Sequence, residues 1–160
     1  MLRSKAHPLS SHLSSLRGGA LAIAQAAIAA VDADACVRRG LLAHVPNLNV
    51  PPCWHVLAVG KAALPMMTAA LAVMPTRPTQ AMCVLPGAVA DVPAYVDIHH
   101  GGHPVPNEGS VAAGRAALAL AAATGPDELL LVLLSGGASA LLAAPAEGLT
   151  LADKQQTTTA

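Results

Sequence analysis

Short apolar runs that alternate with helical segments constrain the fold of this chain more than any other feature. Each run has five or six residues and contains Val, Ile or Leu, which is typical of strands buried in a parallel sheet. The strands predicted from them cover 54–59, 81–85, 95–99 and 129–134. Strands that alternate with helices predict an α/β fold with a doubly wound, mostly parallel, Rossmann-like sheet.

The run 129–134, Leu-Leu-Leu-Val-Leu-Leu, is apolar on both faces, which predicts the central strand of a sheet covered on both sides. It opens an uncharged stretch, 129–146, that is long enough to be tested as a membrane span. Because Ser135, Gly136 and Gly137 interrupt this stretch, we predict a strand, a turn and a helix there and no membrane partner.

Composition narrows the class of protein. The chain is 54% hydrophobic and 11% charged, with nine Lys and Arg against nine Asp and Glu, so it is neither a disordered tail nor a nucleic-acid-binding surface. A small-molecule substrate is therefore expected. The three cysteines are an odd number and lie far apart, which favours reduced thiols in a cytoplasmic protein over a disulfide framework or a zinc ribbon.

The helical segments have recognisable boundaries. Residues 1–16 are rich in Ser and His and are predicted to be a loose leader, followed by a domain over 17–160. Helical spacing over 16–43 is interrupted near 32–34. The acid-free start before the apolar run 20–31 also fits a signal peptide, but the helical pattern continues into Arg38 and Arg39, which favours a cytoplasmic helix. Asn107 is predicted to cap a helix over 108–123. Thr150 and Asp153 are predicted to form a capping box at the start of another helix.

Three loops that follow predicted strands hold candidate functional groups, since ligands of open α/β sheets bind at the carboxyl ends of the strands. The loop Ser135-Gly136-Gly137-Ala138-Ser139 combines glycines, hydroxyls and a helix start, which suits a phosphate or carboxylate. A tight turn without a ligand fits the same residues. The loop is not a Walker A motif, a Rossmann G-x-G-x-x-G or a hydrolase elbow.

The second loop is Gly60-Lys61-Ala62-Ala63. A lysine beside a helix start is disfavoured unless an anion joins it, so Lys61 indicates a phosphate ligand, with a solvated surface lysine as the alternative.

The third loop contains His99, His100 and His103. No nearby Cys or suitably spaced acid completes a set of zinc ligands, so we predict no metal site. We predict instead that Gly and Pro shape this loop and that it brings His103 to the cleft.

Together these segments resemble the class II glycerate kinases, or glycerate 2-kinases, which carry an N-terminal α/β domain and a smaller MOFRL domain. The matching segments, in order, are 59–63, 102–108, 134–142 and 149–159. The resemblance spans residues from about 20 to the end of the chain. It implies that the chain is the N-terminal part of the catalytic domain, incomplete at its C-terminal end.

The resemblance implies ATP-dependent phosphorylation of D-glycerate to 2-phosphoglycerate, with Mg²⁺ as the second cofactor. Lys61 would be the catalytic lysine. The residues implied to bind phosphate or substrate are Gly60, Ser135, Gly136, Gly137, Ser139, His103 and Glu108.

Two departures from the family pattern affect these expectations. Ala138 stands where family members carry a third glycine, and a positive φ there would strain the loop. The chain is also short, so we expect it to be inactive alone and, with an open sheet edge, to be poorly soluble or to form a homodimer. A hydroxypyruvate reductase and a non-catalytic truncated remnant are the alternative interpretations.

Overall fold

The computed structural model describes residues 8–45, 51–89 and 91–159, with side chains from residue 12 onward. All four predicted strands are present, each within one residue of its predicted bounds. Pro46 and Asn47, which together with Pro51 and Pro52 predict a loop before the first strand, lie outside the described residues. In chain order the elements are α1 Pro8–Ala30, α2 Ala33–His44, β1 Trp54–Val59, α3 Ala63–Val73, β2 Gln80–Leu85, β3 Val96–His100, α4 Glu108–Ala123, β4 Leu129–Leu134, α5 Ala138–Leu141 and α6 Leu151–Thr159.

The four strands form one parallel sheet in the order β3-β2-β1-β4. Side chains alternate between two cores, because successive residues of a strand point to opposite faces. Trp54, Val56 and Ala58 pack with α3 on one face. Leu57 and Val59 pack with α4 and Leu141 of α5 on the other. Helices on both faces of a parallel sheet confirm the doubly wound α/β fold.

The prediction that 129–134 is the central strand is wrong. β1 lies between β2 and β4, and all six of its residues are buried. In the described sheet β4 pairs with β1 alone, and Val132 and Leu134 are 45% and 64% exposed. The apolar pattern of a strand indicates which of its faces can pack against a hydrophobic core. The crossover connections decide whether both of its edges are hydrogen-bonded to neighbouring strands.

The N-terminal segment also differs from its prediction. α1 begins at Pro8, so the part of the predicted loose leader from residue 8 to residue 16 is helical, while residues 1–7 lie outside the described part of the chain. The predicted interruption near 32–34 is confirmed, since α1 ends at Ala30 and Asp32 caps α2 by accepting a hydrogen bond from the Ala35 N–H at 2.9 Å.

Helix α1 is long and apolar enough over His12–Ala30 to cross a membrane by length and composition, and none of this stretch is buried. A signal sequence near an N-terminus passes the same test, as does a core helix of a soluble protein. The stretch 129–146, in contrast, forms β4, a turn and α5, as predicted.

A buried histidine ties the amino end of the sheet to the loop before β4. His55 is 4% exposed, and its Nε2 lies 3.0 Å from Glu128 Oε2, which also accepts the Gly125 N–H at 2.8 Å. The backbone hydrogen bond from Gly125, followed by the hydrogen bond to His55, holds the pKa of the Glu128 carboxyl below its ordinary value. This contact lies at the end of the sheet opposite the candidate site.

Candidate active-site crevice

The carboxyl ends of β1 and β4 mark the point where the winding of the sheet reverses. From β1 the chain proceeds to β2 and β3 on one side, and β4 then pairs with the other side of β1. In doubly wound folds the crevice at this point is where ligands bind. Two of the three predicted loops follow these strands: 60–62 follows β1 and 135–137 follows β4.

Hydrogen bonds join the two loops directly. The Lys61 N–H donates to the Gly136 carbonyl at 3.0 Å, and the Ala62 N–H donates to Ser135 Oγ at 3.0 Å. The Ser135 N–H donates to the Val59 carbonyl at 2.9 Å. The loop that carries Lys61 is therefore held against the Gly/Ser loop.

Gly60 allows this close approach. It has a φ of +125°, and a Cβ added to it would lie 2.1 Å from Ser135 Oγ and 2.7 Å from the Ser135 carbonyl oxygen. Any side chain would therefore meet both the hydroxyl and the backbone of Ser135. The predicted site residues Gly60 and Ser135 lie against each other, and glycine is required at position 60 for packing as well as for its backbone conformation.

Gly137 lies where three elements meet. A Cβ added to it would lie 2.7 Å from His103 Cδ2, 2.9 Å from His103 Nε2 and 3.5 Å from Lys61 Cγ. Its φ is +94°. The structure thus brings Lys61, His103 and Gly137 together, although 76 residues of sequence separate Lys61 from Gly137.

The crevice presents hydrogen-bond donors and positive charge. Within the described ranges, the N–H groups of Gly136 and Gly137 donate to no protein group, and Lys61 is exposed and forms no salt bridge there. The hydroxyl-bearing Ser139 is also exposed. Free N–H groups beside a lysine suit an anion that can accept several hydrogen bonds.

The departure at Ala138 does not strain the loop. Ala138 is the first residue of α5, and the left-handed cap before it is Gly137. A methyl group is tolerated at an ordinary helical φ, so a third glycine is not needed here.

The His103 loop is held from both sides. The Gly102 N–H donates to Asn107 Oδ1 and to Ser110 Oγ, both at 2.9 Å, and Asn107 caps α4 as predicted. From α6, Gln155 Nε2 donates to the Pro106 carbonyl at 2.8 Å. The predicted Thr150 and Asp153 capping box is present at the start of α6.

Two predicted residues lie outside the contacts of this crevice. In the part of the chain that the structure describes, no hydrogen bond or ion pair joins Glu108 to either loop; it lines a cavity of about 430 Å³ with Arg115 and Leu149. Ser139 lines a neighbouring cavity of about 440 Å³ with Lys154. No local pattern in the sequence marks Lys154 or Gln155, because their positions depend on how α6 docks.

The histidine loop carries no metal cluster in the residues described here, where no group of three or more His, Cys, Asp or Glu is placed to hold an ion. His99 Nε2 instead lies 2.8 Å from Asp97 Oδ2 on the same strand.

Comparison with known proteins assigns this chain to a family. A family model described as "Domain of unknown function (DUF4147)" matches residues 19–160. The chain belongs to the DUF4147 family. The resemblance to class II glycerate kinases is confirmed as well, because the chain is 34% identical over 147 residues to the D-glycerate 2-kinase of Thermotoga maritima, a match that covers 91% of the chain.

Other members that match this DUF4147 chain carry two kinds of name. It is 30% identical over 104 residues to a glycerate 2-kinase of Pyrococcus horikoshii, covering 65% of the chain and 23% of that relative. It is 35% identical over 100 residues to a putative hydroxypyruvate reductase of Agrobacterium vitis, covering 62% of the chain and 23% of that relative. The chain spans about a third of the Thermotoga kinase.

The solved structures agree with the architecture. The crystal structure of the glycerate kinase from Thermotoga maritima superposes with a TM-score of 0.75 at 33% identity, covering 91% of this chain and 34% of that one. The doubly wound α/β fold of this DUF4147 chain therefore has an experimental counterpart in a relative.

Proposed function

We propose that this chain forms the phosphate-binding part of a glycerate 2-kinase, which transfers a phosphoryl group from ATP to D-glycerate and yields 2-phosphoglycerate. The observation that carries the proposal is the meeting of Lys61, His103 and Gly137 at the crevice between β1 and β4. The names of the relatives support the substrate class.

Lys61 is the residue to which we assign the catalytic role. Phosphoryl transfer depends on positioning and on stabilising negative charge, and Lys61 lies exposed beside Gly137 without a salt bridge in the described residues. Its ammonium group would hold a phosphate or substrate oxygen through the transition state. His103 Nε2, which lies near the same Cβ position of Gly137 as Lys61 Cγ, would hydrogen-bond the same anion.

The residues fit the phosphates of ATP better than they fit Mg²⁺. The free N–H groups of Gly136 and Gly137 are donors for phosphate oxygens. ATP bound there would supply the phosphoryl group. Mg²⁺ prefers carboxylate and other oxygen ligands, whereas the groups that meet at this crevice are a lysine, a histidine and backbone N–H groups, so we assign these residues no part in holding the metal.

The crevice favours a kinase over a reductase. A nicotinamide cofactor in this fold binds over a Gly-rich turn after the first strand, whereas here that turn reads Gly60-Lys61-Ala62-Ala63-Leu64. The Agrobacterium relatives named putative hydroxypyruvate reductase make that reaction the second one to assay.

The test is to express the full open reading frame that contains this chain and to supply ATP, Mg²⁺ and D-glycerate. We expect 2-phosphoglycerate, with the phosphorylated carbon identified by ³¹P and ¹³C NMR, and no activity from the 160 residues alone. A parallel assay with hydroxypyruvate and NADH tests the reductase. NADH oxidation without phosphorylation would overturn the proposal.

The residue assignment is tested with Lys61→Met, which removes the charge but keeps an unbranched apolar side chain. We expect kcat to fall at least about a hundredfold, the scale on which removing a transition-state donor acts. Arg39→Met is the matched control, because Arg39 is exposed on α2 and its hydrogen bonds within the described part of the chain go to the Ala30 carbonyl and to Cys36 Sγ. Equal turnover in the two variants would refute the role of Lys61.

A further inference from the structure

The two border strands of the described sheet, β3 and β4, carry different side chains on the side of the sheet that packs against α4. β4 places Val132 and Leu134 on this side, and both are exposed. β3 places Asp97 and His99 there, joined by an ion pair of 2.8 Å. Charged side chains on an edge strand discourage pairing with a further strand, whereas an exposed apolar edge favours it. The β4 border is therefore the one that suits a partner strand.

The backbone of β4 has donors left over at the same border. The Ser135 N–H donates to the Val59 carbonyl at 2.9 Å, toward β1. Because alternate N–H groups of a strand point to opposite edges, those of Leu130, Val132 and Leu134 point to the edge that has no neighbour in the described sheet. Donors in apolar surroundings need acceptors, and the carbonyls of an adjacent strand provide them.

An apolar cavity of about 390 Å³ borders β4. Its lining includes Val37 of α2, Met66 of α3 and Leu133 of β4, and no charged residue of the described chain belongs to it. A strand beside β4 would bury apolar side chains against this lining, which is favourable in proportion to the apolar area removed from water. A hydrated or charged partner would gain nothing there.

The connection that leaves β4 indicates where the next strand lies. It leads through α5 to α6, which is beside α4, since Leu151 and Val111 line one cavity and Gln155 donates to the Pro106 carbonyl. Crossovers between parallel strands are right-handed. On this side of the sheet α4 connects β3 to β4, past β2 and β1. A second right-handed crossover on the same side continues in the same direction, which leads outward from β4.

The chain spans about a third of the Thermotoga kinase, and a protein of that length has ample polypeptide for another strand. We infer that in the full-length protein a further β-strand of the same polypeptide pairs in parallel with β4, and that the β3 border receives no strand. The inference rests on the chemistry of the two borders and on the position of α6. It does not depend on the reaction that the protein catalyses.

The added strand would also extend the candidate crevice. Parallel strands end at the same edge of a sheet, and in this fold that edge is where ligands bind. The loop after the added strand would therefore lie next to Ser135, on the side of the Gly/Ser loop away from Lys61. The proposed crevice would then have a third wall from outside these 160 residues.

The experiment is amide hydrogen exchange of the full-length wild-type protein, read at single residues by fragmentation mass spectrometry. The internal control is the β3 border. There the Gly101 N–H donates to the Leu85 carbonyl of β2 at 3.2 Å, so the N–H groups of Ile98 and His100 point outward. After correction for intrinsic rates, we expect the amides of 130, 132 and 134 to exchange more slowly than those of Ile98 and His100, by about a hundredfold or more.

A pair of proline variants of the full-length protein gives a second readout. Proline is tolerated in a strand only where its missing N–H would face solvent. Val132→Pro should therefore lower Tm clearly more than Ile98→Pro, which is the matched control at the other border. If Val132→Pro fails to fold, the exchange of the wild type still decides the question.

Equal exchange at the two borders, fast or slow, would overturn the inference, because it assigns a partner strand to one border alone. The exchange is repeated at two widely different protein concentrations, with the mass followed by sedimentation. Protection at β4 that persists in a monomer supports a strand of the same polypeptide. Protection that disappears as a dimer dissociates would assign the β4 edge to a second copy and refute the intramolecular strand.

Discussion

Gly137 offers a sharp test of how the crevice is built, because the adjacent Gly136 is a matched control. At Gly137 an alanine meets two obstacles: a φ of +94°, and a His103 ring whose atoms lie 2.7 and 2.9 Å from the new Cβ. At Gly136 the added Cβ finds no atom within 4 Å, and φ is not in the left-handed region.

The expected magnitude follows from these two obstacles. The left-handed conformation costs a non-glycine residue about 1–2 kcal/mol, and displacement of the His103 ring adds to it. In a chain of this size 1 kcal/mol lowers Tm by about 2–4 °C, so Gly137→Ala should melt at least about 2–8 °C below the wild type. Gly136→Ala should melt at or above the wild-type Tm, because alanine reduces the conformational entropy of the unfolded chain.

Calorimetry of the two variants measures the stability difference, and titration with inorganic phosphate measures the consequence for the crevice. Gly137→Ala should bind phosphate more weakly, since the methyl group would displace the His103 ring from its position beside Gly137. If Gly137→Ala melts with or above Gly136→Ala, the conformation assigned to Gly137 is refuted.

Three further predictions concern the rest of the molecule. The depressed pKa of Glu128 makes its ionised form stabilising above the ordinary value of 4.5, and this contribution is lost as pH falls through the folded-state pKa. The urea midpoint of Glu128→Gln should therefore lie below that of the wild type at pH 7 and approach it in acid; a pH-independent gap would contradict this. Burial raises the pKa of the Cys83 thiol to about 11, so Ellman's reagent at pH 8 should label the exposed Cys53 much faster, and equal rates would show that Cys83 is accessible. The exposed Val132 and Leu134 at the edge of the sheet should drive self-association of the chain. Replacing both residues by lysine should reduce that self-association, and a wild-type chain that is monomeric in sedimentation equilibrium would contradict the prediction.

Much of the fold was predictable because its signals are local. Four apolar runs separated by Gly and Pro predict four strands, and Asn107 and Thr150 mark helix starts because their side chains accept an N–H from three residues further on. The candidate loops were predictable for the same reason, since a loop after a strand in this fold lies at the carboxyl edge of the sheet.

The order of the strands was not predictable from the same signals. Leu129–Leu134 is the most apolar strand but lies at the edge of the described sheet, whereas Trp54–Val59, which contains His55, lies between two neighbours. The hydrophobicity of a strand's side chains indicates whether its two faces are buried. Whether both of its edges are hydrogen-bonded to neighbouring strands depends on where the crossover connections return the chain to the sheet. The helix from Pro8 was missed because its start is rich in Ser and His, although Leu9, Leu13 and Leu16 recur there at the i, i+4, i+7 spacing of a helix.

The features of the candidate site also fall into those that local residue types predict and those that arise only when the chain folds. Local residue types are enough to predict an anion site from Lys61 beside a helix start and from the glycines and hydroxyls of 135–139. The packing of Gly60 on Ser135, the meeting of His103 and Lys61 at Gly137 and the separation of Glu108 from both loops become visible in the folded chain alone. These contacts join residues that lie 34 or more positions apart in the chain, so they leave no periodicity or spacing in the sequence and arise only when the sheet brings the ends of its strands together.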